Sequence, residues 1–102
     1  MKSSCFILNV GLNRGNPRVW IEKKVLEDFG WQTGVRYNRT NGDGFTLVKN
    51  PKGKLGVAGK IGRPILDLNG AYVGKCLGGA DKVAVTITLQ TIAIKGKTTN
   101  EH

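Results

Sequence analysis

Residues 18–37 read RVWIEKKVLEDFGWQTGVRY, and this stretch decides the fold. Three of its first four residues are the β-branched and aromatic types that favour a strand. From residue 22 to residue 29 the apolar side chains change to helical spacing, and the charged ones fall elsewhere. Gly30 follows directly, where a helix end favours a residue that tolerates positive φ. We therefore predict a strand, a helix of about two turns and a second strand, with the helix packed on a sheet because it is too short to be stable alone.

Turn signals and alternation predict the other strands. The sequence NGDG at residues 41–44 lies between two β-rich runs and indicates a tight hairpin. Residues 83–89 alternate between large apolar and small or polar side chains, as in a half-buried strand. A turn near residues 89–91 leads to a last strand at residues 92–94, and CFILNV at residues 5–10 predicts a first one.

The same order of elements occurs twice. Residues 18–49 and 63–95 each read as strand, short helix or turn, small-residue bend, strand, hairpin and strand. A basic, glycine-rich connector at residues 50–62 joins them as an irregular or kinked strand, and the polar tail at residues 96–102 is expected to be flexible. A unit of this size cannot bury its apolar face alone, so it needs a second copy. We predict one mainly β domain over residues 1–102, with one or two short helices, built as a small barrel from two β-α-ββ units.

Three short sequences carry a family resemblance. They are IEKKVLEDFGWQTGVRY at residues 21–37, ILDLN at residues 65–69 and ADKVAV at residues 80–85. The first resembles the SymE-like form, and the other two resemble the AbrB and SpoVT type, of a swapped-hairpin half. Members of that family usually supply one half per chain and dimerise to close a barrel. The resemblance therefore implies a barrel that is closed within one chain or by a homodimer, and DNA binding through basic residues on one face.

Charge and composition limit the kind of partner. The chain has 16 Lys and Arg against 7 Asp and Glu, a net charge of +9. Such a field attracts polyanions. No apolar run approaches the roughly 20 residues that span a bilayer, and no stretch has the form of a signal peptide. We expect a cytoplasmic protein without a membrane partner. Cys5 and Cys76 could form a disulfide, but without an export signal two buried free thiols are favoured.

The residues needed for catalysis are scarce. The single histidine is the terminal His102, there is no Cys-X-X-Cys pair, and a serine or cysteine nucleophile would lack a histidine base. Gly59 and Lys60 lack the spacing of a phosphate-binding loop. We therefore expect a binding protein without enzymatic activity, cofactor or metal.

The candidate contact residues are cations and one tryptophan. The resemblance implies phosphate contacts by six of the cations, while the other four lie in or next to the glycine-rich connector and are added on charge alone. Trp31, in the polar loop GWQTG, is expected to be partly exposed and able to stack on unpaired bases, whereas Trp20 and Phe29 are expected in the core. The first group of cations is Arg18, Lys23, Lys24, Arg36, Arg63 and Lys82, and the second is Lys49, Lys52, Lys54 and Lys60.

Three functions fit these features. The first is a small DNA-binding regulator that contacts phosphates through a basic face, with DNA favoured over RNA. The second is a phage- or plasmid-type inhibitor, of the anti-defence or anti-CRISPR kind, whose basic face docks on an acidic surface of a host nucleic-acid enzyme. The third is a SymE-like toxin directed at RNA. Membrane-surface binding is disfavoured because no predicted helix is long or amphipathic enough.

Overall fold

The computed structural model describes residues 2–97, which contain two short helices and ten strands. The helices are α1 (Lys24–Asp28) and α2 (Ala71–Leu77). The strands are β1 (Ser4–Asn9), β2 (Gly11–Asn13), β3 (Asn16–Ile21), β4 (Arg36–Gly42), β5 (Gly44–Lys49), β6 (Leu55–Gly56), β7 (Ala58–Lys60), β8 (Arg63–Asn69), β9 (Lys82–Ile87) and β10 (Thr91–Lys97).

The strands form two antiparallel sheets. The larger sheet has six strands in the order β1-β9-β10-β5-β4-β6, and the smaller has four in the order β2-β3-β8-β7. Helix α1 packs on β8, and α2 contacts β3, β8, β5 and β10, so it bridges the two sheets. One cluster of buried apolar side chains from both sheets and both helices forms the core.

A mainly β fold with two short helices is confirmed. The predicted helix at residues 22–29 is found as the shorter α1, because Lys23 is still extended at φ −132° and ψ 148°. The NGDG hairpin is found between β4 and β5, with Gly42 opposite Gly44. The predicted turn near residues 89–91 is also present and needs no glycine, because the Thr88 hydroxyl accepts hydrogen bonds from the backbone N–H groups of the two residues that end it (3.2 and 2.9 Å).

The prediction of a closed barrel is wrong for the described part of the chain. Strands β3 and β8, which open the two predicted units, pair with each other, and their outer neighbours are β2 and β7. They therefore form a separate open sheet rather than joining β4 or β9. The connector at residues 50–62 holds β6 and β7, in keeping with the kinked strand expected there.

The termini and the cysteines require smaller corrections. Gly96 and Lys97 belong to β10 rather than to a flexible tail, and residues 98–102 lie outside the described residues. Both cysteines are free, as favoured, but Cys5 is exposed on the edge strand β1 and Cys76 is only half-buried. Burial of both thiols was therefore a wrong prediction, since the alternation of β1 directs Cys5 to solvent.

The hairpin glycines offer a test of the packing between β5 and β10. Gly44 has φ +92°, and a Cβ there would overlap the carbonyl oxygen of Ile94 on β10. We expect Gly44→Ala to lower the free energy of unfolding by about 1–3 kcal/mol from backbone strain alone, with the overlap adding to the loss. Denaturant unfolding followed by circular dichroism measures the change.

Gly42→Ala is the matched control in the same turn. A Cβ on Gly42 meets nothing within 4 Å. This variant should unfold at the same denaturant concentration as the parent, or gain up to about 1 kcal/mol because the unfolded chain loses freedom. Equal losses in the two variants would contradict the close approach of β10 to Gly44.

Candidate functional site

The side of the four-stranded sheet that points away from the core carries a set of polar and aromatic side chains, which we call the outer face. Along β3 and β8 the residues alternate, and the inward set that includes Val19 and Leu66 is buried. The register places Trp20 opposite Asp67, and Lys60 on β7 opposite Arg63. The members of the outer face used below are Arg18, Trp20, Lys60, Arg63, Ile65 and Asp67.

A bidentate ion pair lies in the middle of the outer face. The Arg18 guanidinium donates from Nε and Nη2 to the two carboxylate oxygens of Asp67, each at 2.9 Å. The hydrogen bond from Arg18 lowers the pKa of Asp67, and Asn69 donates a further bond to the same carboxylate at 3.2 Å. Arg18 is therefore held in a fixed position against the sheet.

Trp20 lies against this ion pair. The Arg18 guanidinium carbon is 4.3 Å from the centroid of the tryptophan ring, and the indole Nε1 donates to Glu22 Oε1 at 3.1 Å. The residue is 41% exposed, so its predicted place in the core is wrong. Its neighbours Val19 and Ile21 are buried, and alternation along a strand then directs Trp20 to solvent. This signal was already present in the sequence RVWI.

Four of the predicted cations line two pockets beside the outer face, which share Glu22 and Arg63 and which we together call the basic groove. Lys23 and Lys24, at the start of α1, line the first pocket, Lys60 at the end of β7 lines the second, and Arg63 lines both. Glu22 lines the groove as well, and its carboxylate is 3.7 Å from the Arg63 guanidinium.

The hairpin that carries Lys60 and Arg63 is tied to the rest of the fold. The Thr33 hydroxyl donates to the carbonyl oxygen of Lys60 at 2.8 Å, and the carbonyl oxygen of Ala58 lies 3.4 Å from the same hydroxyl. Gly59 and Gly62 have φ of +97° and +86°, which lets the short turn close. The groove therefore has one wall built on a helix and one on an anchored hairpin.

Two other predicted cations have their charged groups bonded to backbone carbonyls within the protein. The Arg36 guanidinium donates to the carbonyls of Gly53 (3.1 Å) and Lys54 (2.9 Å). The Lys49 ammonium donates to the Phe29 carbonyl at 3.0 Å, and burial lowers its pKa. These two side chains hold the loop after β5 and the end of α1.

The remaining predicted cations lie apart from the groove. Lys82 donates to the side chain of Asn9 on the neighbouring strand at 2.7 Å. Lys52 and Lys54 are exposed in the loop between β5 and β6, and neither lines the basic groove. The structure therefore places four of the ten predicted cations in the basic groove, and places Arg18 further along the outer face, bonded to Asp67.

Trp31 is not a contact residue, which corrects the prediction that it is exposed. Its side chain is fully buried. Its Nε1 donates to the carbonyl of Thr88 at 3.0 Å, and its ring meets that of Tyr37 edge-on at 6.0 Å between centroids. The loop folds back because the Trp31 backbone N–H donates to the Leu26 carbonyl at the end of the helix. A base could reach Trp20, but it could not reach Trp31.

Two other kinds of site are lacking in residues 2–97. That range contains no group of three or more His, Cys, Asp or Glu side chains placed to hold a metal ion. Neither of its helices is long and apolar enough to cross a membrane.

No family model, no curated protein and no solved structure matches this chain. The resemblance to the AbrB and SpoVT type and to SymE-like halves is therefore carried by the residues quoted for it, and it stays a prediction.

The two tryptophans should differ in fluorescence. Trp20→Phe leaves only the buried Trp31, and Trp31→Phe leaves only the exposed Trp20. We expect a blue-shifted emission that acrylamide quenches weakly in the first variant, and a red-shifted emission that acrylamide quenches several-fold more strongly in the second. Circular dichroism checks that both variants fold, and equal quenching constants in two folded variants would contradict the assigned burial.

The ion pair on the outer face should make stability depend on pH. The folded-state pKa of Asp67 is lowered, so its contribution is present above the unfolded pKa near 4 and is lost as the pH falls through the folded value. Asp67→Asn should therefore destabilise the protein at pH 7 and cost progressively less in acid. Urea unfolding over that pH range measures the difference, with Asp43→Asn at the exposed β4–β5 hairpin tip as the control. A loss from Asp67→Asn that is the same at every pH would contradict the ion pair.

Proposed function

We propose that this chain is a non-catalytic nucleic-acid-binding protein that contacts phosphates through the basic groove. The observation that carries the proposal is that Lys23, Lys24, Lys60 and Arg63, from two separate segments, line two pockets that share Arg63 and Glu22, with the exposed Trp20 bonded to Glu22. The net charge of +9 would draw a polyanion towards the protein from a distance.

The groove is suited to a charged backbone rather than to a small anion. Lys60, Lys23 and Lys24 are exposed, and long flexible lysine side chains can follow phosphates without a fixed geometry. Glu22 and Glu27 also line the groove, so its cations outnumber its carboxylates only two to one. A nucleic acid would therefore run along the cationic rim, and its affinity would come from several phosphate contacts that depend on salt.

The most specific form of the proposal is a cytoplasmic DNA-binding regulator built from two related halves. The order strand, helix, strand, strand occurs as β3-α1-β4-β5 and again as β8-α2-β9-β10. The opening strands of the two units pair antiparallel, and so do their closing strands β5 and β10. This arrangement supports an internal repeat. The two units of one chain would then correspond to the two subunits of a homodimer.

A second candidate function is docking on an acidic protein surface of a nucleic-acid enzyme. The observation in its favour is Trp20 with Arg18 stacked on it, because tryptophan and arginine are the residue types that dominate the energy of protein interfaces. Such an inhibitor would bind its partner in a 1:1 complex and bind nucleic acid weakly.

The salt dependence of binding tests the first proposal. Titrating a labelled random-sequence duplex and a single strand should show an affinity that falls roughly a thousandfold between about 50 and 200 mM salt if about six phosphates are neutralised. The double variant Lys60→Gln/Arg63→Gln should lower the slope of log K against log salt by about 1.4–1.8, since each lost phosphate contact removes about 0.7–0.9.

Lys75→Gln/Lys95→Gln is the matched control, because it removes the same charge from exposed positions outside the groove. Lys75 lies on α2, which follows the opposite end of β8 from Arg63, and Lys95 lies on the six-stranded sheet. This control should keep most of the slope. Weak binding of the parent at low salt would overturn the proposal, and equal losses in the two double variants would show that the groove is not the contact.

A further inference from the structure

Trp20 is held in place before any ligand arrives. One side of its ring meets the Arg18 guanidinium, at 4.3 Å between the guanidinium carbon and the ring centroid, and its Nε1 is bonded to Glu22. Arg18 cannot leave the ring without breaking two hydrogen bonds of 2.9 Å to Asp67. An aromatic ring fixed in this way loses little side-chain freedom when a flat group stacks on it.

Along the outer face, the side chain next to Trp20 is apolar, and the side chains further along the sheet are cationic. Ile65 is the outward residue of β8 next to Asp67, and so lies diagonally across from Trp20. Arg63 comes one step further along the same strand, opposite Lys60. Each step covers two residues, or about 6.6 Å, so the face from Trp20 to Arg63 is about 13 Å long. A stacked strand rises about 3.4 Å per nucleotide, and this length therefore suits a few nucleotides.

We propose that the outer face binds single-stranded nucleic acid, with an unpaired base stacked on Trp20 and phosphates a few nucleotides along the strand on Arg63 and Lys60. The inference rests on the proposed function and names its substrate class. Arg18 and Glu22 act as positioning residues that hold the ring, while the cations of the basic groove supply the contacts to the backbone.

A four-stranded face with a ring in its middle favours a single strand over a duplex. The bases of a duplex are stacked on each other and present only their edges, and the major groove admits a helix or a two-stranded ribbon rather than a broad sheet. A ring in the middle of a sheet can instead meet the flat side of a base that is already unpaired. Ile61, which is 94% exposed at the β7–β8 turn between Lys60 and Gly62, adds an apolar contact at the cationic end.

The test compares a short labelled oligo(dT) strand with a duplex of the same length, using Trp20→Ala and Trp20→Phe. Trp20→Ala should weaken single-strand binding about 5- to 150-fold, which is the usual contribution of one stacked base. Duplex binding should change less than about twofold, and the salt slope should stay unchanged because no charge is removed. Trp20→Phe keeps a ring and should retain most of the affinity. In the Trp31→Phe background, oligo(dT) should quench the fluorescence of Trp20.

Each outcome separates the stacking inference from the proposed function. If Trp20→Ala leaves single-strand affinity unchanged, or weakens duplex binding equally, stacking is overturned, while a loss in Lys60→Gln/Arg63→Gln would still uphold the basic groove. If the parent binds neither nucleic acid at low salt, both proposals fail. A complex with an acidic protein that depends on Trp20, without nucleic-acid binding, would assign the face to protein docking instead.

Discussion

The antiparallel pairing of β3 with β8 is the constraint on which the candidate surface depends. Successive side chains of a strand point to opposite faces of the sheet. Because Val19 and Ile21 on β3 are buried in the core, Arg18 and Trp20 point to the outer face. On β8 the same rule applies to the alternating residues around Asp67. A slip of one residue in either strand would bury a guanidinium or a carboxylate, which is strongly unfavourable. The core therefore fixes both the composition and the register of the surface.

Local patterns in the sequence were enough to predict most elements of the fold. The helix before Gly30, the hairpin at NGDG and the alternating last strands are all set by neighbours within a few residues, and all are present. The closed barrel could not be judged in this way, because it depends on which distant strands become neighbours. Here β3 pairs with β8, and the short β2 and β7 occupy the two edges of their sheet. Nothing within any single strand indicates that choice.

The orientation of a candidate site residue could be predicted from the sequence only where its immediate neighbours along the chain determine it. The alternation in RVWI indicates that Trp20 points outward, whereas Trp31 lies in a polar loop and is buried by contacts with Thr88 and Tyr37 that are distant in sequence. The roles of the charged residues were equally hard to predict. In the sequence Arg36 and Lys49 look like surface cations, but their side chains donate hydrogen bonds to backbone carbonyls. The net charge does not show which cationic side chains already form hydrogen bonds within the protein.

The outer sides of the two sheets carry different side chains, so the two sides of the molecule are chemically different. On the six-stranded sheet, the register sets Thr86, Ala93 and Thr46 side by side across three strands, with Thr40 on a fourth, so the middle of that side is small and uncharged. The four-stranded sheet instead carries the paired Arg18 and Trp20, and the basic groove lies at its edge. A polyanion drawn in by the overall field would meet usable cations and an exposed ring on the second side, whereas the middle of the first side offers neither. Because the arginine beside the ring is already paired with Asp67, in the proposed complex the attraction would come from the groove and the stacking from the sheet, and substitutions would remove the two contributions separately.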